Sequence, residues 1–179
     1  MVYILLADGF EEMEAFSPYD ILKRASVNVK LVSSTDEWEV KGAHEISVNA
    51  EMKFCDISAD EIDMLVLPGG MPGCRNLDNL SYIDDLLKKV YNDGGYIAAI
   101  CAAPSILGKR GYLKGRNAVS FPSFQKYLEG ANIIKNERVV VDGKIITAVG
   151  AGAAVEFGLK LVELLTDKKT SDEIRASMY

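Results

Sequence analysis

Three segments of this chain combine tight turns with residues that can carry out chemistry. They are A-D-G-F-E-E-M-E at residues 7–14, P-G-G-M-P-G at 68–73 and I-C-A-A-P at 100–104. A thiol at Cys101, acids ending at Glu14 and a glycine loop with accessible backbone N–H groups are the parts that nucleophilic chemistry at a carbonyl needs. The three segments are therefore the first place to look for a site.

Cys101 occupies a junction between two predicted elements. It ends a strand-like apolar run, and Pro104 is well placed for the first turn of a following helix. Such a turn lifts a side chain off the backbone, as a nucleophile elbow does, although the G-x-S-x-G pattern is absent. A sulfur at a helix N-terminus is biased toward thiolate. The alternative is that Cys101 is a small buried hydrophobe.

The other two segments also have plain structural interpretations. Acids near a helix start can simply complement the helix dipole. The glycines of residues 68–73 allow positive φ and close approach to an anion or oxyanion, but a tight structural loop needs the same residues. The loop is not a phosphate-binding P-loop, because no Gly-Lys-Ser/Thr follows. Ser17-Pro18 reads as N-cap and N1, which predicts a kink between the acidic turn and the main helix.

The hydrophobic pattern predicts an α/β sandwich that would position these segments. Short, nearly continuous apolar runs indicate strands covered on both faces, as in a parallel sheet; they are Val2–Leu6, Val29–Ser33, Met64–Leu67, Tyr96–Ile100, Val139–Val141 and Ile145–Val149. Helices are predicted over 82–91, with Ser81 as N-cap, and over 155–165. Asp142-Gly143 indicates a hairpin, so the sheet is mixed. Ligands in such folds bind beyond the carboxyl ends of the strands.

The segment Glu37–Glu51 is polar enough to be an excursion from the main sheet. Alternatively, it forms a small hairpin on one edge. No repeat, linker or low-complexity tract interrupts the chain, so residues 1–179 are predicted to form one domain.

Composition narrows the function classes. With 20 basic and 26 acidic side chains the net charge is −6, which argues against a nucleic-acid binder. The longest uncharged stretch, Gly94–Gly108, is 15 residues, too short for a membrane span of about 20. The start of the sequence lacks a basic n-region, so a cytoplasmic protein is expected. An odd set of three widely spaced cysteines argues against a disulfide framework and a structural metal.

Taken together, the motifs resemble the ThiJ/PfpI superfamily (class I glutamine amidotransferase-like), most closely the clade of the human Parkinson-disease-linked protein. G-F-E-E-M-E-A, L-P-G-G-M-P-G and A-A-I-C-A-A-P match in order and spacing, and P-Y-D-I-L-K-R-A and E-F-G-L-K-L-V-E-L-L extend the match over nearly the whole chain. The resemblance implies a flavodoxin-like three-layer sandwich, a homodimer and no cofactor. It assigns Cys101 as nucleophile and Glu14 as the neighbouring acid. Gly70 and Ala102, beside Gly69, would supply oxyanion-binding N–H groups.

The implied pairing predicts two pKa shifts. A buried carboxyl beside a thiolate is pushed toward its protonated form, so the pKa of Glu14 is expected to rise and that of Cys101 to fall. The protonated acid would stabilise the thiolate, and also the sulfinate formed by oxidation. Glu11 and Glu12 are expected to face solvent or to cap the helix.

Departures from the family pattern matter for activity. Relatives with hydrolase or glyoxalase activity carry a His about twenty residues after the cysteine, where this chain has Phe121. The sole histidine, His44, lies in a stretch that in the family approaches the partner's cysteine pocket; it is an anion or substrate contact, or it is structural. Arg24 matches an interface arginine. Residues 148–153, A-V-G-A-G-A, replace the family's S-R-G-P-G-T, which predicts a more apolar, less cationic rim.

These observations favour a cysteine-dependent protein of oxidative or carbonyl stress with weak glyoxalase or deglycase-like activity, acting on a small reactive carbonyl or on peroxide. The alternative is a non-enzymatic redox-sensing dimer or chaperone-like protein. Family names also include protease or amidase and thiazole monophosphate biosynthesis, but nothing in these residues supports the latter chemistry. Cys74, at another predicted helix start, is a second reactive thiol, a disulfide partner across a dimer, or neither.

Overall fold

A computed structural model describes residues 1–58 and 62–178. Within them, seven strands form one sheet in the order β10-β11-β7-β6-β1-β2-β5. These strands are β1 (Val2–Leu6), β2 (Val29–Ser33), β5 (Met52–Lys53), β6 (Met64–Leu67), β7 (Tyr96–Ile100), β10 (Val139–Asp142) and β11 (Ile145–Ala148). All neighbours pair in parallel except β10 and β11. The predicted mixed, mostly parallel sheet is confirmed.

Helices cover both faces of the sheet. In chain order they are α1 (Glu12–Arg24), α2 (Gly73–Asp78), α3 (Ile83–Asn92), α4 (Pro104–Lys109), α5 (Ala154–Leu165) and α6 (Lys168–Ser177). Strand residues alternate between two cores: Leu5 packs with the apolar faces of α2, α3 and α4, whereas Ile4 packs with those of α1, α5 and α6. The predicted flavodoxin-like three-layer architecture is therefore the one observed.

Two small two-stranded sheets lie outside the main sheet in the described residues. The antiparallel pair β3 (Glu39–Lys41) and β4 (Ser47–Asn49) is the predicted hairpin of the polar segment, but it forms its own two-stranded sheet. A bridge between Phe10 and Gly42 ties it to the loop after β1. Two further short strands, β8 (Asn117–Ala118) and β9 (Asn132–Ile133), pair with each other.

Two predicted N-caps, Ser17 and Ser81, are wrong. α1 begins at Glu12 and runs through Ser17, so Pro18 lies inside the helix, where its missing N–H leaves the Glu14 carbonyl without its usual partner. Tertiary packing outweighs this cost, since α5 approaches so closely that a Cβ on Gly158 would lie 2.9 Å from Cα of Pro18. Tyr82, not Ser81, precedes α3, and it gives no side-chain cap. None of the helices in the described part of the chain is long and apolar enough to cross a bilayer.

Candidate active site

Cys101 forms a sharp turn between β7 and α4. Its φ is 64°, in the left-handed region that few non-glycine residues adopt. Its N–H donates to the Ala148 carbonyl and its own carbonyl accepts from the Phe121 N–H, each over 2.9 Å. These bonds hold a conformation that costs on the order of 1–3 kcal/mol. The predicted elbow is confirmed, with the thiol half-buried.

Glu14 brings a buried carboxyl to this turn. The residue lies in the first turn of α1 and is 1% exposed. Gly69 donates its backbone N–H to Oε2 over 2.9 Å. The second oxygen, Oε1, is buried and accepts no hydrogen bond of standard geometry from the described residues. The Cys101 thiol and the Ala151 N–H face this carboxyl and favour its ionised form.

Glycine at position 69 is what allows the carboxyl and the elbow to meet. A Cβ there would lie 2.6 Å from Oε2 of Glu14 and 2.8 Å from Cβ of Cys101. Gly70 has a φ of 88°, and a Cβ on it would lie 2.4 Å from the Glu11 nitrogen. The glycine loop thus serves close approach of three chain segments.

Burial sets the ionisation of the pair. It raises the pKa of Glu14 to about 7, against the opposing hydrogen bonds from Cys101 and Gly69. Burial, then the negative charge of Glu14 and the hydrogen bond to it, raise the pKa of Cys101 to about 12. The predicted rise for Glu14 is confirmed. The predicted fall for Cys101 is wrong, because burial and an ionised neighbour outweigh the backbone N–H groups that stabilise a thiolate.

The two groups share one proton over a wide pH range. Once the pair has lost its first proton near neutral pH, the remaining proton lies on sulfur or on the carboxyl. A proton on Glu14 removes the repulsive charge and leaves the thiolate with a donor. Glu14 can therefore act as a base that takes the thiol proton when sulfur attacks, since its pKa is close to neutral.

Two backbone donors complete the site. The N–H groups of Gly70 and Ala102 face the sulfur and lower its pKa. In the described residues neither donates to a backbone carbonyl. The structure thus brings together Cys101, Glu14, Gly69, Gly70 and Ala102, and the nucleophile and oxyanion roles that the family resemblance implies for them stay predictions.

A family model described as the DJ-1/PfpI family matches residues 1–164. The chain belongs to this family. It is 36% identical to the protein dj-1beta of Drosophila melanogaster, over 96% of this chain and 92% of that protein. Its sequence is also 32% identical to a glutathione-independent glyoxalase of Caenorhabditis elegans (96% and 91% covered) and 34% identical to a deglycase of Pyrococcus abyssi (92% and 98% covered).

A solved structure of a family member has the same fold as this chain. The structure of oxidized DJ-1 from Toxoplasma gondii superposes with a TM-score of 0.92 at 35% identity, covering 99% of this chain and 96% of that one. The resemblance predicted from the motifs is confirmed, together with a family setting of cysteine-based oxidative and carbonyl stress.

Two residues that the sequence analysis assigned to the site of this DJ-1/PfpI member, His44 and Arg24, have their contacts away from Cys101. His44 is exposed and its Nδ1 lies 2.7 Å from Oε2 of Glu12. Because residues two apart on a helix point to different sides, Glu12 and His44 are directed away from the Glu14 carboxyl. Arg24 pairs with Asp20 at the far end of α1. Neither His44 nor Arg24 is brought to Cys101 within one chain.

The expectation that Glu12 faces solvent or caps the helix is wrong. Glu12 is 7% exposed and accepts the His44 N–H at Oε1 over 2.8 Å, besides contacting the ring. Burial raises its pKa, but the His44 contacts outweigh burial and lower it. Glu11, Glu12 and His44 place ligand atoms within 4.8 Å of one another, yet Glu12 and His44 already bind each other.

The rim of the site includes a cation that the sequence did not reveal. Arg138 reaches the 150–152 loop, donates to the Gly152 carbonyl and pairs with Glu156. The expectation of a rim less cationic than that of the family stays a prediction. Ala151, whose N–H faces Glu14, was also missed, although the family's equivalent loop marks the segment.

Cys74 and Cys55 differ from Cys101 in setting. Cys74 is 4% exposed, and burial raises its pKa to about 11. It lines a cavity of about 180 Å³ with Ser105, Lys109 and other residues. Cys55 is exposed, and its Sγ donates to Oδ1 of the exposed Asp56 over 3.8 Å. Cys101 differs from both in being half-buried beside the buried carboxyl of Glu14.

Proposed function

We propose that this chain is a cysteine-dependent enzyme of carbonyl stress that converts small α-oxoaldehydes to hydroxy acids without a cofactor. The observation that carries the proposal is the convergence of the Glu14 carboxyl and the N–H groups of Gly70 and Ala102 on the Cys101 sulfur. The glyoxalase and deglycase names of two relatives support this substrate class.

The geometry supports the following steps for methylglyoxal. Cys101 adds to the aldehyde carbon while Glu14 accepts the thiol proton, and the N–H groups of Gly70 and Ala102 stabilise the new alkoxide. Glu14 returns this proton to the alkoxide, which gives a hemithioacetal and frees the carboxylate. The carboxylate then takes the proton of the former aldehyde carbon and delivers it to the neighbouring carbonyl carbon, while the hydroxyl proton of the hemithioacetal passes to the former ketone oxygen, which gives a lactoyl thioester. Water hydrolyses the thioester to lactate and a proton and restores the thiol, so the sum is methylglyoxal plus water to lactate plus a proton.

Phe121 limits the rate in this scheme. It stands where related enzymes carry histidine, so Glu14 must serve every proton transfer. A positioned general base typically contributes 10² to 10⁴ in rate, and a missing second base accordingly predicts weak turnover. Addition to an aldehyde remains feasible because that carbon is already electrophilic; a deglycase-like reaction begins with the same addition.

The test is lactate formation from methylglyoxal by the wild type and by Cys101→Ser. Loss of turnover in Cys101→Ser is expected, while Cys74→Ser, a matched change at a buried thiol, retains it. An inactive wild type, or a Cys101→Ser variant as active as wild type, would overturn the proposal.

A redox sensor is the second candidate, favoured by the half-exposed sulfur beside an acid that holds its proton near neutral pH. The oxygens of a sulfinate on Cys101 would accept hydrogen bonds from the protonated Glu14 carboxyl and from the backbone N–H groups of Gly70 and Ala102. The oxidized state named for the similar Toxoplasma gondii structure supports this chemistry. Intact mass after peroxide treatment tests it: two oxygens added at Cys101, with no methylglyoxal turnover, would select the sensor over the enzyme.

Partner and location belong to the same proposal. A homodimer is supported by the half-buried Phe16 and Tyr19 and the 54% exposed Met13 on α1, and sedimentation tests it. A cytoplasmic location is supported by three free cysteines, which suit a reducing compartment. Fractionation of cells that express the tagged chain tests the location.

A further inference from the structure

Arg138 links two segments beside the site. It immediately precedes β10, and its backbone carbonyl accepts the Val149 N–H over 3.0 Å. Its guanidinium donates to the Gly152 carbonyl, and Nε lies 3.1 Å from Oε2 of Glu156 in the first turn of α5. One side chain therefore fastens the loop after β11 to the helix that follows it.

This loop forms a wall of the catalytic pair. A Cβ on Gly150 would lie 3.8 Å from Sγ of Cys101. The next residue, Ala151, directs its N–H at the Glu14 carboxyl. A shift of residues 150–152 would therefore change the donors around both groups.

The loop cannot fix its own position through side chains. Residues 150–153 are G-A-G-A, and glycine loses more conformational freedom on ordering than any other residue. An internal hydrogen bond joins the Ala153 N–H to the Gly150 carbonyl over 2.7 Å. The Gly152 carbonyl accepts from Arg138, which comes from a distant segment just before β10.

We propose that Arg138 is a positioning residue for the Cys101–Glu14 pair, and that it holds the Ala151 N–H against the Glu14 carboxyl by tying Gly152 to Glu156. The inference rests on the pair used in the proposed function. It does not depend on which substrate the pair acts upon.

The charged and titratable groups around Glu14 make a pH readout suitable. Glu14 faces Cys101 on the elbow, senses the negative charge of the neighbouring Glu11, accepts the Gly69 N–H, and has the Ala151 N–H facing it. Arg138 itself forms an ion pair with Glu156. Weakening the Ala151 contact removes a group that stabilises the carboxylate, so Glu14 should lose its proton at a higher pH.

The experiment measures the alkylation rate of Cys101 against pH by site-resolved mass spectrometry, in a Cys55→Ser/Cys74→Ser background. The midpoint of wild type is expected near neutral pH. Arg138→Gln should move it upward by several tenths of a pH unit. Arg116→Gln is the matched control, because Arg116 contacts Asp142 at the opposite end of the same hairpin and should leave the midpoint unchanged.

Two further variants separate position from charge. Arg138→Lys keeps the charge but replaces the two guanidinium nitrogens that contact Gly152 and Glu156 with a single nitrogen on a shorter side chain, so it should shift the midpoint as Arg138→Gln does. A wild-type midpoint in Arg138→Gln, or full rescue by Arg138→Lys, would overturn the proposal. Should Arg138→Gln fail to fold, Glu156→Gln tests the same clamp, with a smaller shift in the same direction. Alkylation needs no turnover, so failure of the methylglyoxal assay would remain distinguishable.

Discussion

The backbone N–H of Phe121 donates to the carbonyl oxygen of Cys101 over 2.9 Å, so the side chain of Phe121 begins beside the nucleophile. A Cβ on Gly150 would contact both residues, 3.4 Å from Cδ2 of Phe121 and 3.8 Å from Sγ of Cys101. Phe121 is 47% exposed, and its ring carries no group that exchanges a proton. Phe121 therefore places no second base beside the nucleophile.

Restoring an imidazole there should raise activity. Phe121→His is expected to increase methylglyoxal turnover by roughly 10- to 100-fold. This is the lower part of the range for general bases, because the neighbouring residues are not arranged to orient an imidazole. Steady-state lactate formation measures the gain. Tyr127→His, which adds an imidazole at another exposed aromatic position, should change nothing; equal gains in both variants would contradict a local effect.

Removing the Glu14 carboxyl should change the pH dependence of the thiol. In wild type the alkylation rate of Cys101 should rise as Glu14, whose pKa burial raises to about 7, loses its proton. In Glu14→Gln no base takes the thiol proton, so the midpoint moves to the range of an unassisted thiol, near or above about 8.5, and the rate at neutral pH falls by roughly tenfold or more. Glu129→Gln, at an exposed acid, is the control. An unchanged midpoint in Glu14→Gln would remove Glu14 from the chemistry.

Most of the architecture was predictable because its signals are local. Four parallel strands begin and end where the apolar runs do, for example β7 at Tyr96–Ile100. The hairpin at Asp142-Gly143 was also marked by its turn residues, and Gly143 has the positive φ that such turns need. The position of Cys101 at the end of a strand was enough to predict its elbow.

Contacts between distant segments were not predictable. Glu12 and His44 are separated by 32 positions, and nothing in the spacing of the acids shows which one the hairpin covers. Arg138 lies 14 residues from Gly152 and reaches it only because β10 and β11 pair antiparallel. The direction of the Cys101 pKa shift depends on a balance in which burial and the Glu14 carboxylate raise the pKa and two backbone N–H groups lower it, and residue types alone do not determine that balance.

Crowding at Gly69 should affect chemistry more than folding. In Gly69→Ala the new methyl would displace the Glu14 carboxyl or the Cys101 side chain, so alkylation of Cys101 at neutral pH should fall by roughly tenfold or more, since proton transfer needs hydrogen-bond reach. Gly158→Ala is a matched small insertion at the α1–α5 contact, where overpacking costs about 1–3 kcal/mol. It should lower Tm and leave alkylation unchanged. The same pattern in both variants would contradict a specific role for Gly69.

The contact between Glu12 and His44 should make stability depend on pH in a defined window. The Glu12 pKa is lowered from 4.5, so its contribution is present above that value and is lost as pH falls through the lowered pKa. The His44 pKa is raised from 6.5, chiefly by its hydrogen bond to Glu12, so its contribution is present below 6.5 and is lost as pH rises through the raised pKa. Both contributions to stability are present together between pH 4.5 and pH 6.5.

Thermal unfolding of His44→Ala at two pH values tests this window. The variant should melt below wild type at a pH of about 5.5 by on the order of 1 °C, because the ring is largely exposed, and the gap should narrow at a pH of about 8.5. Lys41→Ala removes the ion pair to Glu45 on the same hairpin and leaves the Glu12–His44 contact in place, so its gap should not change with pH. A His44→Ala gap that stays constant or widens at the higher pH would show that the ring does not bind Glu12 as a cation.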